Sequence, residues 1–273
     1  MSLQIVEWSR LMEDPVPPAI LPGGSTDSAE SAMTIGVFDG VHVGHRELLE
    51  RIVRRGPVPT VVTFRENPKK HLSPENYGGD IFSFGQKLAV FERFGVVRVI
   101  LIDFFENFSK LAGREFIELL ENRGRMSYLA VGSNFRCGYR RDTDAETIRE
   151  MNEKKGIPTE LIPPVETEAG PVSSSQLRSA IVAGDIRLAS SLAGRNIELD
   201  LSDLEPVSAV RERQDGFVYD LRLVNRVGPA AGRYPVLVNP GAFESRAVME
   251  SGKVFLPVAR NGGRAEGIEF LLN

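Results

Sequence analysis

Two rhythms of apolar residues run through the first two-thirds of the chain. Short stretches at Leu3 to Trp8, Met33 to Phe38, Val58 to Phe64, Val96 to Ile102, Tyr128 to Val131 and Thr159 to Ile162 read as strands, those at Met33 to Phe38 and Tyr128 to Val131 as buried ones. Between them, apolar positions recur at helical spacing. Leu48, Leu49, Ile52 and Val53 share one side of a helix from Gly44 to Arg55, and Leu88, Phe91 and Phe94 share one ending at Gly95. A further helix is predicted near Arg114 to Asn122. Another is capped by Asp142 or Thr143, with Asp144 and Glu146 in its first turn and Lys154 and Lys155 in its last. This alternation predicts an α/β fold built on a doubly wound, mostly parallel sheet with right-handed crossovers. The polar connection from Arg65 to Phe84, rich in Pro, Gly and Asn, is long for a turn and predicts a binding flap.

From Asn196 the pattern shortens to alternating strands around Gln214-Asp215-Gly216, Glu250-Ser251-Gly252-Lys253 and Asn261-Gly262-Gly263-Arg264, each a hairpin signal. The chain therefore divides into an α/β domain, residues 1–195, and a small β domain, residues 196–273. Glu198, Asp200, Asp203 and Glu205 gather at the start of the second and are expected to form a solvated acidic face.

Composition narrows the picture. With 273 residues, 42% of them hydrophobic and 26% charged, the chain can bury a sizeable core, and disorder throughout is excluded. A net charge of −4 gives no general footprint for nucleic acid. The single cysteine, Cys137, forms no internal disulfide and suits a reducing compartment. No run has the length of a membrane span and Met1 to Arg10 lacks a secretory apolar core, so a cytoplasmic location is expected.

Three stretches carry candidate chemistry. Thr34-Ile35-Gly36-Val37-Phe38-Asp39-Gly40-Val41-His42-Val43-Gly44-His45 joins a buried strand to a helix and holds two of the three histidines. Such a turn aims unpaired amides and the positive end of a helix dipole above the strand, a seat for phosphate. His42 and His45 either address a triphosphate there, or cap and pack the helix. The third histidine, His71, lies in the flap and reads as solvated. Val131-Gly132-Ser133-Asn134-Phe135-Arg136-Cys137-Gly138, past another strand end, can grip a planar ligand and its phosphate, or form a surface turn with Phe135 tucked inward. Val172-Ser173-Ser174-Ser175-Gln176-Leu177-Arg178 runs into a helix ending at Gly184. Its serines either cap that helix or, with Arg178, hold phosphate oxygens.

The first stretch, G-x-F-D-G-x-H-x-G-H, resembles the opening motif of the bacterial FAD synthetases, members of the HxGH nucleotidyltransferases. The second resembles their G-x-[DN]-F-R-F-G, with Cys137 at the second phenylalanine, and the third their I-S-S-T-x-I-R; the resemblance runs from Thr34 to Ile197. It implies transfer of AMP from MgATP to FMN, with FAD and pyrophosphate as products. His42, His45 and Arg178 would be catalytic. Gly36, Phe38, Asp39, Gly40, Gly44, Gly132, Ser173, Ser174 and Ser175 would bind ATP, and Phe64, Asn67, Asn134, Phe135 and Arg136 the flavin. Mg²⁺ would arrive with ATP, since no protein ligand set for a metal is legible. Where these enzymes often read T-F-D-P-H-P, this chain has Thr63-Phe64-Arg65-Glu66-Asn67-Pro68, and an amide in place of an imidazole cannot carry a proton.

In bifunctional relatives a C-terminal β-barrel phosphorylates riboflavin through a G-x-G-R-x-x-G-F-P-T-A-N type motif, and this chain has no such string. Its β domain is expected to lack kinase activity and to cover apolar surface or mediate self-association. The remaining alternatives are a nucleotidyltransferase for another phosphorylated small molecule and a non-catalytic flavin or nucleotide carrier.

Overall fold

The computed structural model describes residues 3–19, 30–56, 58–104, 106–168, 170–210, 216–239, 241–257 and 265–272. Residues 20–29, Gln214 and Asp215 of one expected hairpin turn, and the whole Asn261–Arg264 turn lie outside them.

Elements follow in the order β1 (Gln4–Glu7), α1 (Trp8–Glu13), β2 (Ser31–Ile35), α2 (Val43–Arg55), β3 (Val58–Phe64), α3 (Lys69–Leu72), α4 (Phe84–Phe94), β4 (Arg98–Ile102), α5 (Glu106–Ser109), α6 (Gly113–Asn122), β5 (Met126–Gly132), β6 (Arg136–Cys137), β7 (Thr143–Asp144), α7 (Ala145–Glu153) and β8 (Thr159–Ile162). Then come β9 (Glu166–Thr167), β10 (Gly170–Pro171), α8 (Ser174–Ala183), α9 (Ile186–Ala193), β11 (Glu198–Asp200), β12 (Ser208–Val210), β13 (Gly216–Asp220), β14 (Gly232–Asn239), β15 (Phe243–Glu250), β16 (Lys253–Pro257) and β17 (Gly267–Phe270).

Six strands form one wholly parallel sheet in the order β1-β4-β3-β2-β5-β8, flanked by helices. All five residues of β2 are buried, as a central strand covered on both faces requires. Leu11, Met33, Val62, Ile100, Ile117 and Leu129 belong to the core on this sheet. The chain winds outward from β2 through β3 and β4, then returns to place β5 on the other side of β2. That reversal opens a crevice beyond the carboxyl ends of β2 and β5, the place where open α/β sheets take ligands. At the opposite end, Arg98 is fully buried and held by neutral oxygens. It donates to Gln4 Oε1 (2.8 Å), Ser31 Oγ (2.9 Å) and Pro17 O (2.6 Å), and burial lowers its pKa to about 10.

The second large sheet is antiparallel and seven-stranded, in the order β11-β17-β14-β15-β16-β13-β12. Its β15–β16 hairpin turns through Ser251 (φ 50°) and Gly252 (φ 75°), the left-handed pair that a tight hairpin requires. By contacts the chain forms two compact units. One comprises residues 1–38, 44–72 and 87–171, the other residues 39–43, 73–86 and 172–273.

Several expectations need correction. β2 stops at Ile35 rather than Phe38, because Phe38 adopts φ 56°, outside any strand. Val53 is exposed, at the edge of the face on which Leu48, Leu49 and Ile52 are buried. The connection after Phe64, expected as a flap, contains α3 and a 3-10 turn at Pro74–Asn76. The cap of α7 is Asp144, whose side chain accepts from Thr147 N (3.0 Å), while Asp142 instead accepts from Gly113 N (3.0 Å) at the start of α6. The acidic group near Asp200 is a solvated face only in part, with Asp203 and Glu205 exposed but two of its carboxylates engaged. Asp203 pairs with buried Arg226 at 2.6 Å, and Asp200 accepts from Ser83 and Ser202.

Candidate active site

Between β2 and α2 the backbone crosses to positive φ at Phe38 (56°), Gly40 (76°) and Val41 (35°). Glycine visits this region freely, but phenylalanine and β-branched valine do not, so the turn is strained and its surroundings must hold it. Phe38 is wholly buried, with its ring 4.9 Å from that of His45 and 5.4 Å, edge-on, from Phe91. Arg195 follows α9 and donates to Val41 O (2.8 Å) and Gly40 O (2.7 Å), with its guanidinium 4.8 Å from the Phe82 ring centre. A Cβ on Gly40 would stand 2.9 Å from Leu177 and 3.0 Å from Ile81, so space and φ both demand glycine.

His42 is 6% exposed. Burial, and then the charge of Arg195, push its pKa down to about 4, which leaves an uncharged imidazole at neutral pH. His45 is half-buried in the first turn of α2, where Gly44 leaves the helix start bare of side chain.

Asp39 is the centre of a buried polar cluster. Its Oδ1 accepts from the amides of Ile81 (2.9 Å) and Phe82 (3.2 Å), and its Oδ2 from Arg178 Nη2 (2.5 Å). Its carbonyl accepts from Ser174 Oγ (2.8 Å), and Arg178 Nε donates to Gly79 O (2.8 Å). Burial pushes the Asp39 carboxyl above its usual range and Asp80 adds to the push, while Arg178 and the two amides oppose it. The carboxylate expected at ATP is therefore committed to fixing Arg178 and a loop. Ser173 caps α8 by accepting from Gln176 N (3.2 Å), and Ser175 is exposed in its first turn.

Beyond β2 and β5 lies a cavity of about 690 Å³. Gly36, Val37, Asn134 and Phe135 border it from the two strand ends, and Phe64, Phe104, Phe108 and Phe116 supply aromatic wall. Its rim carries Arg136, Arg140 and Arg141, all exposed, the latter two at φ 55° and 60°. Planar aromatic surface beside guanidinium groups suits a flat ring system bearing an anion. Cys137 is on the wall, its thiol pushed up to about 12 by burial and by Asp142, so it is a packing group rather than a nucleophile. Asn67 is not. It is buried, and its Oδ1 accepts from Lys69 N (3.1 Å) at the start of α3, so it shapes the wall through Pro68 and Leu72. His71 is exposed and pairs with Glu66 at 3.0 Å.

Sequence reading passed over Phe104, Phe108, Arg140 and Arg141. The arginines had a signal, three in the six residues from Arg136 to Arg141; the phenylalanines had none, because an aromatic residue in sequence looks alike whether it lines a cavity or a core. Among the described residues, no cluster of three or more His, Cys, Asp or Glu side chains is set to hold a metal, and no helix is long and apolar enough to cross a membrane.

Residues 25–176 match the family model described as FAD synthetase. The chain is 33% identical over 168 residues to a bifunctional riboflavin kinase/FMN adenylyltransferase of Pseudomonas fluorescens, covering 59% of this chain and 53% of that one. It is 28% identical over 172 residues to an FAD synthetase of Listeria monocytogenes, covering 62% and 70%. The chain thus spans about half the length of the bifunctional relatives it matches. In fold it is similar to a crystal structure titled a macrolide-efflux protein from Streptococcus pneumoniae, with a TM-score of 0.76 and 22% identity over 98% of this chain and 89% of that one.

Proposed function

The chain belongs to the FAD synthetase family, and from that premise we propose that it transfers AMP from MgATP to FMN, releasing FAD and pyrophosphate. One observation carries the reading: every wall residue of the aromatic, arginine-rimmed cavity, from Ile35 to Arg141, lies within the matched span. The isoalloxazine ring would enter between the phenylalanines with Asn134 at its edge, and the FMN phosphate would face Arg136, Arg140 and Arg141.

The reaction needs no protein nucleophile. A phosphate oxygen of FMN attacks the α-phosphorus of ATP in line, the bond from that phosphorus to the bridging oxygen breaks, and pyrophosphate leaves with the electron pair. Mg²⁺ enters as part of the nucleotide substrate and neutralises charge on its phosphates. His42 and His45 would donate to the triphosphate, and the amides of the Gly36–Gly44 turn and of α8, capped by Ser173, would add donors along with Ser174 and Ser175. Arg178 would stabilise charge gathering on the departing pyrophosphate.

The test is incubation of purified protein with MgATP and FMN, followed by chromatography. FAD and pyrophosphate in equal amounts, lost when the divalent ion is chelated, are expected. Turnover of a different phosphorylated acceptor with no FAD would overturn the choice of FMN, and binding of both substrates without turnover would point to a carrier.

A further inference from the structure

We propose that the turn at Asn225, Arg226 and Val227 is a positioning element for nucleotidyl transfer, acting on Arg178 through residues 79–82. The proposal rests on the assignment of Arg178 to the ATP phosphates. Its basis is a loop whose backbone is committed on two sides. Gly79 O accepts from Arg178 Nε at 2.8 Å. Asp80 turns the other way: its N–H donates to Asn225 O at 2.8 Å and its carbonyl accepts from Val227 N at 3.0 Å, a short parallel bridge around Arg226. Ile81 and Phe82 turn back and give both amides to Asp39, whose second oxygen takes Arg178 Nη2 at 2.5 Å.

Both anchors of Arg178 are therefore delivered by this loop, one directly and one through Asp39. The loop in turn has its place set by the 225–227 turn. Gly79 has φ 89°, and a Cβ there would stand 2.8 Å from Asn225 O, so loop and turn touch without spare room. The turn is itself fixed by Arg226, 8% exposed, which donates to Asp200 O at 2.9 Å and pairs with Asp203 at 2.6 Å. A guanidinium that meets developing charge must be placed to within a fraction of an ångström, and a shift of about 1 Å far from the chemistry can cost on the order of 10²-fold. Residues far along the chain thus contribute to transfer without touching a substrate.

The experiment is a double-mutant cycle on the full chain, reading turnover with MgATP and FMN and, separately, calorimetric binding of MgATP alone. Arg178→Lys keeps a positive charge for Asp39 but loses the Nε–H that reaches Gly79. Arg226→Ala is expected to lower kcat by roughly 10-fold or more with KM for FMN within about twofold, and Arg226→Lys to recover part of it. On the Arg178→Lys background, Arg226→Ala should cost no further factor, in kcat or in MgATP affinity. Gly79→Ala, at the contact itself, provides a second route if Arg226→Ala fails to fold. Independent, multiplying losses, or a folded Arg226→Ala with parental kcat and MgATP affinity, would overturn the proposal, as would an Arg178→Lys variant that binds MgATP and turns over like the parent. Because MgATP binding is measured without an acceptor, it still decides the proposal if FMN proves not to be the substrate.

Discussion

His42 resists protonation, and that has a measurable cost in acid. Its folded pKa, about 4, lies below the ordinary value of 6.5, so between these pH values the unfolded chain takes up a proton that the folded chain refuses. Stability from this residue is complete above pH 6.5 and falls as pH drops toward 4. Roughly 2 kcal/mol should be lost between pH 7 and 5. Urea unfolding at the two pH values should show that loss in the parent and a correspondingly smaller one in His42→Asn. For catalysis, His42→Ala and His45→Ala should each lower kcat by on the order of 10²-fold, as expected when a preorganised donor is removed. Retention of near-parental kcat with a lower Tm would make both histidines packing groups. Arg178→Ala is a different case, since it strands the Asp39 carboxylate in a buried site and should also destabilise by about 3 kcal/mol or more. The histidines were legible because their motif is contiguous. The Asp39–Arg178 pair was not, because 139 residues separate its members and no local pattern announces it.

At the scale of elements, the cavity depends on how short segments are pinned. Asn67 starts α3, so Asn67→Ala should cost about 1 kcal/mol as a lost cap and raise KM for FMN through Pro68 and Leu72, while Asn67→Asp should restore both. Steady-state kinetics at saturating MgATP will distinguish this from a role in proton transfer, for which Asn67→Asp would change kcat instead. Gly138 sits at φ 82° where a Cβ would collide with Gly113 N and Asp142 Oδ1, against the start of α6. Gly138→Ala should destabilise by at least about 2 kcal/mol, seen as a lower Tm, and should disturb the rim arginines with it. Buried strands were the most legible elements, and β3 was bounded to the residue, because uninterrupted apolar runs have few other interpretations. Boundaries failed where backbone conformation overrode side-chain type, as at Phe38, and where the cap fell on Asp144, one or two residues past the expected Asp142 or Thr143.

For the molecule as a whole, the β character of the region from Asn196 was legible from strand alternation and from the Glu250–Lys253 hairpin signal, which forms the β15–β16 turn. The make-up of the second compact unit was not, since it gathers residues 39–43 and 73–86 with 172–273 and nothing in composition marks those early segments as belonging with the late ones. Because the riboflavin-kinase motif string is missing, riboflavin with MgATP should give neither FMN nor FAD. Sustained FMN formation in an assay with riboflavin as the only flavin would reveal a kinase site in a diverged sequence.

The separation of Asp39 from Arg178 also bears on how the protein is made. A ribosome adding roughly 5–20 residues per second delivers the carboxylate on the order of ten seconds before its guanidinium. Until then the strained turn at Phe38 to Val41 lacks Arg178, and Arg195 still later, although the parallel sheet up to β8 has already been translated. The turn is thus encoded near the start but gains these contacts only once Arg178 and Arg195 have been made, so on the proposed assignment a chain arrested before Arg178 should fail to bind MgATP.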